Sequence, residues 1–586
     1  MGLLAAESSS AFVRQQHHRR QFVVDFNWTS IVPSQDLQYH ACYNGYKCAR
    51  LQVPLDWAKA AAAAPFRACG GNNNSSSSSD SWAAIAIITL PATVPDTDPS
   101  FGGTVLINPG GPGGSGTGMA LDSGVYLRGI LDAEDRHYEI LGFDPRGTAL
   151  STPSAECYSD SNGVNRLADA VQQGGMPPVT AGNVGLNLHF QAAKGGSSVC
   201  AEHEAAAGPA SIFSHMSTAS VARDMLEIVE RAEALRSPGS GCRNQTKPAR
   251  LQYLGFSMVL DGIVDAQDFL SGSLFQNLND AEVVVDRFYQ TCFQAGSSAC
   301  PLRQEADMSA ADIRSRVDAY IHSLEVEPLS AVFDGRTRLV TSLVVRDAIR
   351  AMLYTPICSY ANFAAALAGS MLAGNHTLLL GGGNFCQPPP LNHTEVGGYA
   401  WADEAAMGVL CGDSASAAGR RDNASFATDI VSFLVKQSPT VGESWLRLPV
   451  SCSGWTFQPP YTFRGPFGSA VPFGSAVGNG SSGGGGNNSS SSSSPMLMLS
   501  TRHDHATPLA NAYALSQAYG GSAVVVQESF GHTALLTATS DCTAGIVREY
   551  FKSGMLPANG TVCEQNADCE PAIPFKACPG FSEYGL

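Results

Sequence analysis

The chain lacks long apolar runs: no uninterrupted stretch of about 18 apolar residues occurs, so the sequence carries no signal for a membrane-spanning helix. Positive charge is also scarce. Lys and Arg number 35 against 51 Asp and Glu, the formal net charge is −16, and the longest basic cluster is the short stretch around Arg19 and Arg20. Nucleic acid and anionic membrane surfaces are therefore excluded as expected partners, and a neutral or cationic substrate is favoured. The 16 cysteines never fall in CxxC pairs, which excludes the usual zinc spacing and points to disulfides, with a pairing that spacing does not reveal. The opening residues MGLLAAESSS are too short in apolar character for a signal-peptide core of about 7 to 15 residues. Ala6 breaks the myristoylation pattern that Gly2 would need.

What is present describes a globular protein. At 586 residues the chain exceeds a single domain of about 100 to 250 residues, so a core with a large insertion is expected. Asn-x-Ser/Thr sequons at Asn27, Asn244, Asn375, Asn392, Asn423 and Asn559, together with the cysteines, suggest a secretory route. Two low-complexity tracts, at 58–81 and 468–494, read as surface insertions too poor in apolar area to order.

Short apolar runs followed by Gly-rich turns, AAIAIITL at 83–90, GTVLINPGG at 103–111, YEILGFDPRG at 138–147 and LQYLGFS at 251–257, have the look of buried parallel strands. Residues 219–235 place Val221, Met225, Val229 and Ala232 on one stripe, as an amphipathic helix does. From about 275 to 440 the pattern turns helical. PMLMLS, LANAYALSQAY and SAVVVQES then restore a strand-helix-strand step, and the alternation predicts an α/β sheet.

That last step carries the chemistry. Asp504 follows one strand and His532 the next, and the carboxyl ends of neighbouring strands are where open α/β sheets gather their sites. An acid orienting an imidazole is two thirds of a nucleophilic triad, and Ser257 supplies the third in the order Ser, Asp, His. The bland alternatives are a His that only hydrogen-bonds backbone in a GHT turn, and a surface loop or weak metal site in which His503 and His505 flank Asp504. The glycines of NPGGPGGSG at 108–116 can present N–H groups to a developing oxyanion; the other readings of such a loop are a tight turn or a phosphate cradle, and no GKS or GKT follows it.

The chain resembles the α/β-hydrolases of the tripeptidyl-aminopeptidase and proline-iminopeptidase group, with its TAP-like C-terminal module. The resemblance is carried by CARLQVPLDW, VLINPGGPGGSG, YEILGFDPRGTALSTP, VARDMLEIVE, YLGFS, MVLDGIVDA, CSGW, DHATPL, GHT and CTAGIVREYFKSGMLPANGTVCE, in that order over residues 48 to 563. It implies an α/β-hydrolase fold with a helical cap: a tail at 1–30, core at 31–268, cap at 269–446 and core with the TAP-like module at 447–586. It implies a secreted serine peptidase that releases residues or short peptides from free N-termini without metal or organic cofactor. Ser257 would be nucleophile, Asp504 orienting acid and His532 base, with Gly110, Gly111 and Met258 around the oxyanion. Esterase or lipase chemistry is the nearer rival, since the same triad serves either acyl bond. Asp144, Arg146 and Asp261 read as structural, with a supporting role in the site as the alternative, since their family positions lie near the strand ends.

One stretch departs from the pattern. The family's G-x-S-x-G elbow is followed by a helix, whereas this chain runs GFSMVLDGIVDA, with Met258 directly after Ser257 and no helix before the next strand. A parallel crossover ordinarily takes a dozen or more residues, so the two strands are not expected to form normally. Three accounts stand open: a segment skipped in the transcript, a hydrolase-derived protein that only binds, and an enzyme with a rearranged site.

Overall fold

A computed structural model of the chain describes residues 26–63, 81–158, 176–179, 183–208, 211–236, 252–255, 259–333, 335–381, 385, 399, 401–414, 424–465, 467 and 496–567. Ser257, Met258, the second low-complexity tract and most of the first lie outside the described residues, as do residues 1–25.

Twelve strands are described: β1 (His40–Cys42), β2 (Tyr46–Pro54), β3 (Trp82–Leu90), β4 (Phe101–Ile107), β5 (His137–Phe143), β6 (Gln252–Gly255), β7 (Val259–Asp261), β8 (Leu329–Phe333), β9 (Arg336–Val340), β10 (Leu497–His503), β11 (Ala523–Phe530) and β12 (Thr561–Glu564). Ten form one sheet in the order β1-β2-β3-β5-β4-β6-β7-β10-β11-β12, and β8 pairs with β9 alone. Every pairing from β5 through to β12 is parallel, while β1, β2 and β3 join antiparallel.

Both faces of the sheet are covered. Ile85, Ile87, Leu106, Leu141 and Phe143 pack with Met225, Ile228 and Val229 of helix Thr218–Arg236. Ile88, Val105, Ile107, Ile140 and Leu499 face the other way, toward Leu127 and Leu131 of helix Gly116–Leu131 and Val547 of helix Asp541–Ser553. Strands buried on both faces read as continuous apolar runs, and that hides direction. The run at 83–90 is therefore a strand, as expected, but an antiparallel one: Ile87 pairs with Phe143 and Leu90 with Ile140.

The step from β6 to β7 also differs from expectation. Both strands form, but they are four and three residues long. They overlap only at Leu254↔Val259 and Gly255↔Leu260. Moving one lane sideways takes about 4.8 Å, within the reach of about 14 Å that four peptide links allow. The sheet is continued by a lateral jog at nearly constant height, with β6 pairing β4 and β7 pairing β10.

Between β7 and β10 the helices build a core of their own, with Val285, Phe288, Ile349, Leu353, Phe363 and Leu367 among its members. Helix Pro356–Ala373 is long and apolar enough by composition to cross a membrane, but it lies in this core, with Tyr360, Phe363 and Leu367 buried. Val179, Leu186 and Phe190 join the same core from before β6, whereas Ala405, Val409 and Leu410 of helix Ala402–Asp413 pack with the sheet. Cysteines pair as Cys42–Cys48, Cys157–Cys200, Cys292–Cys300, Cys411–Cys452 and Cys542–Cys563, which fits an oxidising compartment.

Candidate active site

Since β4, β5, β6, β7, β10 and β11 run parallel, the segments that follow them emerge at one edge of the sheet. Asp504 follows β10 and is fully buried. A short acidic side chain readily folds back on the backbone two and three residues ahead: Oδ1 accepts from the N–H groups of Ala506 and Thr507, each at 2.8 Å. Oδ2 accepts from the Thr507 hydroxyl at 2.8 Å and the Thr533 N–H at 3.2 Å. The remaining capacity faces His532, whose Nδ1 lies 3.0 Å from Oδ2 and 3.2 Å from Oδ1. With Nδ1 assigned as the donor, Nε2 is left as an acceptor, the tautomer a general base needs.

The turn after β11 aims that imidazole. Thr533 has φ +71°, a left-handed conformation that costs a non-glycine residue about 1 to 3 kcal/mol. Three hydrogen bonds offset it: Thr533 N–H to Asp504, and the N–H groups of Ala534 and Leu535 to Asp261 Oδ1 and Oδ2 at 2.6 and 2.8 Å. Asp261, at the end of β7, thus holds the histidine turn, the supporting alternative to the structural reading. Gly262 is at φ +84°, and a Cβ there would fall 2.9 Å from His532 Cε1. Gly262→Ala is expected to displace the ring and lower the rate of acyl cleavage by about 10- to 100-fold with little change in KM, on the usual sensitivity to small misplacements; steady-state kinetics on the variant check this.

Charge is arranged to match. Burial alone would raise the Asp504 carboxyl, but the imidazole of His532, its hydrogen bond, His505 and the Thr507 N–H outweigh burial and hold it at about 2. Burial works against a charged His532, yet Asp504 and then Asp261 leave it above the ordinary 6.5. Burial raises Asp261 to about 6 against its two N–H donors. His505 is buried and pushed down to about 3 by desolvation, hence neutral. The flanking histidines take different neighbours: His503 stacks on Phe530, whereas His505 sits edge-on to Tyr354. Among the described residues no group of three His, Cys, Asp or Glu could hold a metal ion.

On the β4 side, Gly110 and Gly111 have φ +73° and +115°. The Gly110 N–H donates to Asn108 Oδ1 at 2.8 Å, which commits it to the turn. Asp144, following β5, accepts from Ser115 Oγ at 2.7 Å, Thr117 N–H at 3.0 Å and Leu150 N–H at 3.1 Å, so it fixes the end of this loop and the start of helix Gly116–Leu131. From the helical side, the Tyr399 hydroxyl donates to the Gly113 carbonyl and Trp401 Nε1 to the Gly147 carbonyl at 3.2 Å.

Of the residues expected from sequence, Asp504 and His532 are brought into contact. Gly110 and Gly111 stand at the same sheet edge, with the lanes of β6 and β7 between. Ser257 and Met258 lie outside the described residues. Thr507 went unassigned, although its place three residues after Asp504 was a legible turn signal. The anchoring by Asp261 was open from its place near a strand end, but its partners, the Ala534 and Leu535 N–H groups, had no signal in the sequence.

Residues 475–563 match the family described as TAP-like protein. The chain is similar to Serine protease Hip1 of Mycobacterium tuberculosis, 27% identical over 305 residues that cover 49% of this chain and 46% of the relative. It is also similar to Carboxylesterase B of Mycobacterium tuberculosis, 32% identical over 117 residues that cover 20% of this chain and 17% of the relative. The chain thus spans less than half the length of the curated relatives it matches. The matched stretch contains both halves of the Asp504–His532 pair, on consecutive strands of a mainly parallel sheet, and in this the chain is similar to the α/β-hydrolases of the TAP-like group.

Proposed function

We propose that the chain is a serine hydrolase that cleaves acyl bonds through Ser257, Asp504 and His532, and that its substrates are peptides with free N-termini. The observation that carries this reading is the buried Asp504 carboxylate, its other acceptor positions filled, held on Nδ1 of an imidazole that keeps 19% of its side-chain surface exposed. His532 Nε2 takes the proton of the Ser257 hydroxyl as its oxygen attacks the acyl carbon, and then returns it to the leaving amine. Asp504 stabilises the imidazolium formed between the two steps. Gly111, whose loop partner Gly110 is committed to Asn108, supplies an N–H to the oxyanion, with Met258 as the second donor. The helices between β7 and β10 serve as the cap over this edge. Five disulfides among the described residues, and sequon residues Asn27, Asn375 and Asn559 at exposed positions, support an extracellular, glycosylated protein.

One relative is named a protease and another a carboxylesterase, so the leaving group is the open point between two acyl chemistries. A fluorophosphonate probe is expected to label the protein and to fail on Ser257→Ala; labelling that survives the substitution, or never occurs, would sink the serine-hydrolase reading. Comparing a peptide anilide with a free N-terminus against a short acyl ester then tests the peptidase assignment, which a preference for the ester would overturn. A second reading, a hydrolase fold that binds without cleaving, is favoured by the β6–β7 jog: three residues connect the two strands where the family places a nucleophile elbow and its helix.

A further inference from the structure

The histidine turn is gripped from above by the joint between helices Ser342–Tyr354 and Pro356–Ala373. The His532 N–H donates to the Tyr354 carbonyl at 3.0 Å. The Tyr354 ring stands edge-to-face against His532, with centroids 5.3 Å apart and an interplanar angle of 85°, and against His505 at 4.5 Å and 87°. One tyrosine thus packs edge-on against both imidazoles, which also meet each other with centroids 6.4 Å apart. Pro356 closes the other side: Gly531 has φ +109°, and a Cβ there would fall 2.4 Å from Pro356 Cδ. Gly531 is itself tied to β10, its N–H donating to the His503 carbonyl at 3.0 Å and its carbonyl accepting from Thr501 Oγ1 at 2.7 Å.

The clamp has a rigid base. Val345, Ala348, Ile349, Met352 and Leu353 of the first helix are buried in the helical core. One turn before Tyr354, Arg350 Nε donates to Ser444 Oγ at 2.8 Å. His505 is buried with neither ring nitrogen hydrogen-bonded, so it sits uncharged against the tyrosine and makes no hydrogen bond to Asp504.

We propose that Tyr354 is a positioning residue that holds the His532 imidazole on Asp504, so that the joint between the two helices sets the aim of the base. The proposal rests on the reading of His532 as general base, but the placement of the ring is measurable without turnover. The titratable and charged groups around the imidazole are Asp504, Asp261, His505 and the Tyr354 hydroxyl, to which the Arg350 side chain is hydrogen-bonded. Asp504 and Asp261 favour the protonated ring, and an imidazole free to leave Asp504 loses the larger part of that support.

The test compares Tyr354→Leu, which removes the ring, with Tyr354→Phe, which keeps it, on the full chain. Tyr354→Leu is expected to lower kcat by about 10- to 100-fold with little change in KM, and to move the acid limb of the kcat/KM profile to lower pH. Tyr354→Phe should restore both. NMR of ring-labelled histidine, with His532→Ala to assign the signal, should show the His532 midpoint falling toward 6.5 in Tyr354→Leu and unchanged in Tyr354→Phe. Equal behaviour of the two variants, or a Leu variant in which only KM changes and the midpoint stays, overturns the proposal. If Tyr354→Leu fails to fold, Pro356→Ala loosens the same joint; it is expected to shift the midpoint in the same direction by less, and an unmoved midpoint overturns the proposal. A wild-type protein without acyl-bond cleavage sinks the proposed function and leaves this proposal decided by the titration.

Discussion

Asp504→Asn is expected to lower kcat for acyl cleavage by about a thousand- to ten-thousand-fold while leaving KM nearly unchanged. The substitution is close to isosteric, so its effect comes through hydrogen-bond polarity. An amide oxygen can still accept from Ala506 and Thr507 N–H, as Oδ1 does now. The NH2 group then occupies the place of Oδ2, where it meets the Thr507 hydroxyl, the Thr533 N–H and His532 Nδ1. A donor there forces Nδ1 to accept, which moves the ring proton to Nε2 and removes the lone pair proposed to take the Ser257 proton. The pH response should change with it. In the wild type the rate falls as pH drops through the His532 pKa, which lies above 6.5; without the carboxylate that limb moves to lower pH.

Stability carries the same signature with opposite signs for the two partners. Asp504, held at about 2 against an ordinary 3.8, contributes stability that is present above 3.8 and is lost as pH falls toward 2. His532, raised in the folded state, contributes stability fully present below 6.5 and lost as pH rises through its folded pKa. The pair therefore stabilises most between these limits, and the Asn variant should flatten the profile at both ends. A loss of kcat below about tenfold would mean that the pair does not act as a base and its orienter.

How far such a site was legible depends on what each signal encodes. Asp504 and His532 could be placed because each lies within two residues of the end of a strand with an apolar run, and the ends of parallel neighbours converge. The direction of β3 could not be read, because burial on both faces erases the alternation that would have separated it from its parallel neighbours. The β8–β9 hairpin was absorbed into a helical reading although Asp334-Gly335 is a hairpin turn signal, since the flanking residues are short and mixed in polarity. The crossover rule assumes strands paired along their length, and β6 and β7 evade it by overlapping at two residues. Tyr354 and Pro356 carry no local mark of their role. Their pattern is that of a helix end, and only the tertiary fold sets them against the histidine turn.

Arg146→Met is the substitution expected to cost the most stability, about 3 to 5 kcal/mol by the usual penalty for orphaning one member of a buried ion pair. Arg146 and Asp224 are both fully buried. The guanidinium meets the carboxylate in two parallel bonds, Nε to Oδ2 at 2.8 Å and Nη2 to Oδ1 at 2.6 Å. It also donates to the Leu55 carbonyl at 2.7 Å and the Pro54 carbonyl at 3.2 Å, while Trp57 Nε1 supports Asp224 at 2.8 Å. A planar fork is what such an arrangement needs, so Arg146→Lys keeps the charge but loses one arm, and should fall between wild type and Met. Methionine fills similar volume, which isolates the electrostatic loss from a cavity. The double variant Arg146→Met with Asp224→Leu should recover much of the loss, because it removes the stranded carboxylate as well. Denaturant midpoints with the disulfides kept oxidised measure all three. The cluster joins the end of β2, the turn after β5 and helix Thr218–Arg236, two residues from the Asp144 carboxyl that fixes the glycine loop. The Met variant is therefore expected to lose activity at a lower denaturant concentration than it loses helical signal. A single variant no less stable than the double would show that the pair is replaceable packing, and that the glycine loop is held by Asp144 alone.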